Sequence, residues 1–370
     1  MPIVTRELAA IWRRIQVCLL PDLEECLDDP LTQRLRQFIA ILEIIRVEDH
    51  VAAPPPWESL RGRPRQNRGH IARAFVAKAV YNLPTTDLLI ELLKLQPNLR
   101  RLCGWERRHQ VPSAATFSRA FAEFAQTELG DVLHAALVEK HVGDQLVIHV
   151  SRDATEIPAR ERAAPQPKAE PVLPKKRGRP KKGEVRQPEM TRLQRQMDQS
   201  AEEAVAELPR LCNKGTKTDS KGHWHFWVGW KAHIDWVDGG LPVNVVTTSA
   251  SIHDSQVAIP LARRTAERVT SLYDLMDSAY DAKEIRQVSR ELGHVPIIDP
   301  NRRPANSVPL EPASVVRFRE RSVAERGNSR LKDEFGCRNL RVRGHQKAHL
   351  HVMFGILALF ADQLLKPLTG

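Results

Sequence analysis

From Gln145 to Leu365 the sequence alternates short β-branched runs with amphipathic stretches, which restricts this part of the chain to a mixed sheet with helices on its faces. Gln145–Val150 (QLVIHV) reads as a buried strand. In His223–Trp236 (HWHFWVGWKAHIDW), Phe226, Val228, Trp230, Ala232 and Ile234 alternate with other neighbours. Asp238-Gly239-Gly240 is a hairpin turn signal, and Leu241–Thr248 is the returning strand. Leu272–Met276 and Val295–Asp299 supply two further strands. Helical patterns fall between them: from Asp254 or Ser255 as N-cap to about Thr270, and over Ala282–Leu292, capped by Asp281 or its neighbour. Gln346–Leu365 is apolar enough to span a membrane, but His349, His351, Asp362 and Gln363 mark it as a core helix.

The sequence before this pattern reads as helix alone. Residues 1–50 predict a helical arm, with Leu35, Phe38, Ile39, Leu42 and Ile45 at helical spacing; an end-binding or dimerising role and an ordinary subdomain both fit. Residues 51–66 form a Pro-rich linker. Helices follow over 71–82, 86–95, 113–128 and 129–142, with Thr85 and Ser113 as N-caps. Short helices joined by tight turns suit a DNA-binding unit over 67–143, although three-helix packing also occurs without DNA.

Charge bears on the partner. Lys+Arg 56 against Asp+Glu 45 leaves +11, which favours a polyanion through counterion release. The five cysteines contain no CxxC pair, which argues against a zinc site or disulfide frame and for a reducing cytoplasm. The first residues lack signal-peptide order, so no membrane role is expected. Residues 159–222 are rich in Pro, Lys and Arg and predict a disordered insertion. Within it, Lys175, Lys176, Arg177, Arg179, Lys181 and Lys182 surround an Arg-Gly-Arg-Pro core that resembles an AT-hook. Such a run either enters a narrow minor groove or makes sequence-independent phosphate contacts. The clustered tryptophans at 224–236 suit base stacking or, more commonly, cross-strand aromatic pairing.

The chemistry concentrates in Arg317–Phe335 (RFRERSVAERGNSRLKDEF). Phe318, Arg321, Glu325 and Lys332 are separated by two, three and six residues. On a helix they share an arc of roughly 60°. A carboxylate between cations is a poor general base and a good hard-metal ligand, while the cations suit phosphate oxygens. The plain alternative is a solvated, salt-bridged surface helix.

This spacing resembles the Tyr-Arg-Glu-Lys signature of bacterial insertion-sequence transposases with a DDE catalytic domain, with Phe318 in place of the Tyr. Asp153, in SRDATEI, is similar to that family's first catalytic aspartate, and Asp277, in LYDLMDSAYD, to its second. The stretch from RGRPR through PSAATFSRAF more loosely resembles the domain that precedes the catalytic one. The family's His-Asp-Ser is matched at His253-Asp254-Ser255, where Asp254 reads first as a cap and only second as a site residue. The resemblance implies a ribonuclease-H-like mixed sheet over 144–370. Asp153, Asp277 and Glu325 would be the catalytic metal ligands for Mg²⁺, with Mn²⁺ as a substitute. Arg321, Lys332 and Phe318 would contact DNA. The implied activity is cleavage at terminal inverted repeats and strand transfer into target DNA, by a homodimer on the nucleoid. A nuclease without strand transfer would use the same residues, and a catalytically silent DNA-binding descendant would keep the fold.

Overall fold

The computed structural model describes residues 31–51, 65–165, 190–218, 222–300 and 309–366. The run Lys175–Lys182, most of the Pro-rich linker and residues 1–30 lie outside them.

Among the described residues six α-helices precede the sheet: α1 (Gln33–Ile45), α2 (Arg68–Val80), α3 (Thr86–Leu95), α4 (Pro97–Leu102), α5 (Ala114–Gln126) and α6 (Leu129–Val138). Thr32, Asn67 and Thr85 start α1, α2 and α3 by accepting backbone N–H bonds through their side chains. Ser113 occupies the N-cap position of α5 without that bond, its hydroxyl lying 3.2 Å from that of Thr116.

The sheet contains β1 (Leu146–Pro158), β2 (Asn213–Thr218), β3 (Trp224–Val237), β4 (Leu241–Ser249), β5 (Thr270–Met276) and β6 (Val295–Ile298). Its order is β2-β3-β1-β5-β6, with β4 also on β3. The long β3 divides its outer edge, its first half pairing with β2 and its second with β4. β1 is antiparallel to β3 and parallel to β5, and β5 is parallel to β6. The remaining helices are α7 (Arg192–Asp198), α8 (Ala201–Ala206), α9 (Ser255–Ala266), α10 (Lys283–Glu291), α11 (Pro312–Phe318), α12 (Ser322–Asp333) and α13 (His345–Leu365).

α13 is the axle of the molecule. Among the described residues it alone is long and apolar enough to cross a membrane, but it is largely buried between the helical unit and the sheet. Phe354 on α13 packs against Phe75 of α2 and Phe121 of α5. Leu35, Phe38 and Ile41 of α1 join the same core, and Gln37 donates to Asp362 of α13 at 2.5 Å. Residues 31–50 are thus part of the folded body rather than a separate arm, because the apolar face of α1 is covered by α2 and α13.

Three other expectations change. β1 does not stop at Val150: the antiparallel ladder with β3 carries it through Asp153 to Pro158. The insertion is ordered over 190–218. Thr191 with Gln194 and Ser200 with Glu203 form capping boxes that start α7 and α8, and Arg263 of α9 donates to the carbonyls of Gln196 and Met197 at 2.8 and 2.7 Å. A few apolar side chains add to this: Leu208 joins Val246, Val257 and Leu261, and Leu193 and Met197 pack beside Ile259 and Ile285, too sparse a set to stand out in a Pro-, Lys- and Arg-rich composition. Finally, the signature segment is not one regular helix. A 3-10 turn at Arg319–Arg321 joins α11 to α12, and at three residues per turn it eclipses Phe318 with Arg321.

Candidate active site

The two faces of β1 carry different chemistry. Arg152 points toward α9 and is 1% exposed; its Nε and Nη2 grip Asp235 of β3 at 2.8 and 2.7 Å, and Thr265 of α9 donates to the same carboxylate at 2.7 Å. The paired carboxylates hold Arg152 firmly protonated despite its burial. Strand alternation then turns Asp153 to the opposite face, toward α12.

α12 comes unusually close to the sheet there. Gly327 rests on Trp236 of β3, and a Cβ at Gly327 would lie 2.5 Å from the indole ring. One residue later, buried Asn328 donates to Oδ2 of Asp153 at 2.9 Å. Asp277 follows the last residue of β5, and its carboxylate accepts the backbone N–H of Ala279 at 2.9 Å, which fixes the turn. Since β1 and β5 are adjacent, Asp153 and Asp277 meet across the sheet.

Arg321 stands between them. Its Nη2 lies 3.2 Å from Asp153 and 3.5 Å from Asp277, and its Nη1 lies 2.7 Å from Glu325. One guanidinium therefore gathers carboxylates from β1, the end of β5 and α12. Burial pushes the Asp153 carboxyl up despite Arg321, and the Asp277 charge adds to the rise. The same three acids raise Arg321 above its ordinary value against the effect of its own burial. Tyr280, fully buried below, has a hydroxyl with no hydrogen-bond partner among the described residues, and burial with Asp254, Asp153 and Asp277 pushes its pKa well up.

Of the sequence-predicted residues, Asp153, Asp277, Glu325 and Arg321 come together. Lys332 is further along α12, 3.6 Å from Glu156 of β1. Phe318 is half-buried, and its neighbour Arg317 stacks 4.3 Å above the Tyr273 ring. Asp254 holds the N-cap position of α9 without a capping bond; its carboxylate instead accepts from Lys231 at 2.8 Å. Burial would raise Asp254, but His233 and Lys231 outweigh it and hold it below the usual range. Trp230 and Trp236 are core, whereas Trp224 and Phe226, two residues apart on β3, stack on each other at 67% exposure.

Asn328 escaped sequence reasoning, although its position three residues after Glu325 and seven after Arg321 puts it on the same face. The Arg152–Asp235 pair left no signal at all, because a charged pair inside a strand resembles an exposed one.

The donor set suits a hard divalent cation. It is all oxygen, its charge is met chiefly by the Arg321 guanidinium with Lys217 also acting on Asp153, and the buried Oδ1 of Asn328 and hydroxyl of Tyr280 have no partner among the described residues. Among the described residues no three His, Cys, Asp or Glu side chains form a ready-made ligand cage, and Arg321 lies between the three acids.

Comparison with known families gives two matches. The family described as Transposase DDE domain matches residues 153–361, more than half of the chain, and the one described as Transposase domain (DUF772) matches residues 23–123. Neither the curated proteins nor the solved structures give a match.

Proposed function

The chain belongs to the DDE-type transposase family, and from this we propose that it is an insertion-sequence transposase that cleaves DNA at the element's terminal inverted repeats and joins the freed ends to target DNA. The observation that carries the reading is Arg321, within 2.7–3.5 Å of Asp153, Asp277 and Glu325 at once. Three acids far apart in sequence are brought to one point around a shared guanidinium. The sheet order supports a ribonuclease-H-like catalytic domain, with the strand of Asp153 beside the strand that Asp277 closes.

Asp153, Asp277 and Glu325 would hold Mg²⁺, or Mn²⁺ in its place, which supplies acidification of the attacking hydroxyl and stabilisation of the leaving oxygen. The chain's own residues do the remaining work. Asn328 fixes Oδ2 of Asp153, so that the other oxygen faces the site. The Ala279 N–H fixes Asp277. Arg321 keeps the acids from repelling one another. Once their charge is compensated otherwise, its planar fork is free to take a phosphate oxygen pair beside the scissile bond. Lys332, two turns beyond Glu325, offers a point charge to the next phosphates in exchange for its long contact with Glu156.

The test is nicking of supercoiled plasmid in Mg²⁺ against EDTA, followed by a donor plasmid carrying the element's own ends. Metal-dependent nicking with joined products is the expected outcome. Nicking without joining would leave a nuclease, and no nicking under any metal would leave a DNA-binding protein.

A further inference from the structure

A second concentration of charge lies away from the three acids. A cleft of ≈ 440 Å³ opens where α2, α3 and α5 of the helical unit meet the segment from Phe335 to the start of α13. Lys78, Arg160, Arg341, Arg343 and Lys347 stand in its wall, and Asp87 is the only carboxylate among its lining residues. None of the five cations forms a side-chain hydrogen bond or ion pair with any described residue. Several arginines elsewhere are paired instead: Arg152, Arg286, Arg321, Arg330 and Arg338 each have a carboxylate. The interior of the cleft is apolar, with Phe121, Phe335 and Phe354 facing it. Burial depresses the Lys78 ammonium to about 8, so an incoming anion would favour its charged form.

Unpaired cations at the rim of a concave, aromatic-lined cleft suit a ligand that is anionic at one end and flat and apolar at the other. A closed duplex meets only half of this, because its bases are stacked out of reach and only its phosphates touch the rim. An unstacked nucleotide meets both requirements, and the volume lies within the range of single-ligand pockets. Position adds to the argument. Phe335 lies ten residues beyond Glu325 along α12 and its end, about 15 Å at helical rise. Arg160 lies seven residues beyond Asp153 along β1, about 23 Å in extended chain. At 3.4 Å per stacked nucleotide, a strand crossing the acids would reach the cleft after about four to seven nucleotides, passing Lys332.

We infer that this cleft binds one unstacked nucleotide of the DNA strand held at the acidic centre, its base on the phenylalanine floor and its flanking phosphates on Arg160, Arg341, Arg343 and Lys347. This rests on the DNA-processing role proposed above and adds a site to it.

The probe is a single-stranded tetradeoxynucleotide carrying one 2-aminopurine, titrated onto the full-length protein by anisotropy and by base fluorescence. Two variants test it: Arg341→Gln with Arg343→Gln, which removes charge from the rim, and Ser118→Trp, which fills the exposed side of the cleft. Thermal melting establishes that each is folded. The wild type should bind the probe and quench its base. Each variant should weaken binding at least about tenfold, and the double variant should reduce the salt slope by about 1.4, or 0.7 for each of two lost phosphates. Binding within about twofold of wild type in both folded variants would overturn the inference. So would displacement of the probe by poly-glutamate at equal charge, which would mark an acidic-peptide groove instead. Failure here remains distinct from failure of the transposase reading: a wild type that nicks plasmid with Mg²⁺ while both variants bind the probe normally loses only the cleft.

Discussion

Replacing Arg321 by Ala removes the one cation shared by the three acids, and its cost follows from the burial of each contact. The Arg321 and Asp153 side chains are 14% and 16% exposed, so that pair approaches the buried case, where loss of one partner costs about 3–5 kcal/mol. Asp277 at 37% and Glu325 at 63% are screened, and each contributes at most about 0.2–1 kcal/mol. Asp153 keeps its bond from Asn328 and its already raised carboxyl can take up a proton, both of which limit the loss. A net destabilisation of about 2–3 kcal/mol in EDTA is expected, lowering Tm by about 4–10 °C.

The informative comparison is with divalent metal. In the wild type a metal must displace a guanidinium, whereas in Arg321→Ala only the weaker effect of Lys217 on Asp153 remains. The gap in Tm between the two proteins should therefore be widest in EDTA and close as Mg²⁺ or Mn²⁺ approaches saturation. Differential scanning fluorimetry across a metal titration reads this without any DNA cleavage. Equal melting of the two proteins in EDTA would refute the charge argument. A gap of the same size with and without metal would show that Arg321 only packs the helix.

Asp153→Asn, Asp277→Asn and Glu325→Gln should each slow Mg²⁺-dependent nicking at least about 100-fold, near 2.7 kcal/mol of barrier, with DNA binding retained; near-normal nicking by any one removes that residue from the site. Gly327→Ala should cost about 1–3 kcal/mol and lower nicking as well, because its methyl overlaps Trp236 and lifts α12, with Glu325 and Asn328, away from Asp153; unchanged melting and activity would show that the contact yields freely. Buried His134 donates through Nε2 to the Pro242 carbonyl at 2.7 Å, the Nε2 of buried His233 lies 2.9 Å from the Thr248 hydroxyl, and burial lowers both from 6.5 to about 4. Their unfolded forms bind the extra proton, so stability should fall as pH drops from 6.5 toward 4, by up to about 1.4 kcal/mol per pH unit for each; a flat urea midpoint over that window would contradict this. Deleting Lys175–Lys182 should leave melting unchanged and make the salt dependence of DNA affinity shallower by about 0.9 for each duplex phosphate released, and an unchanged slope would exclude contact with DNA.

The strands were legible where apolar residues alternate or cluster, as in β3, β4 and β5, because burial of one or both faces writes itself into the sequence. β2 was not, since NKGTKT lies on the sheet edge with most side chains exposed and its pairing is with backbone alone. The length of β1 was hidden for a related reason. Ser151, Arg152 and Asp153 read as the end of a strand, yet Arg152 is satisfied by Asp235 and Asp153 by Asn328 and Arg321, all distant in sequence. Polar residues inside a strand announce a terminus unless their partners are known.

Arg321 shows the same limit within the site itself. Spacing places it on the face of Glu325, which is correct, and leaves two uses for it: a surface salt bridge or a phosphate contact. Its contact with Glu325, at i and i+4, is the only one of its three that helical geometry could reveal. The contacts that set its energy run to Asp153 and Asp277, 168 and 44 residues away in sequence, and they exist because β1 lies beside β5 while Gly327 lets α12 settle onto Trp236. The sequence thus specifies which groups take part, while the sheet order decides which charge each one meets. Under that order the two uses are not rivals: a guanidinium already within reach of three acids needs only their charge to be met by another cation before it can turn to phosphate.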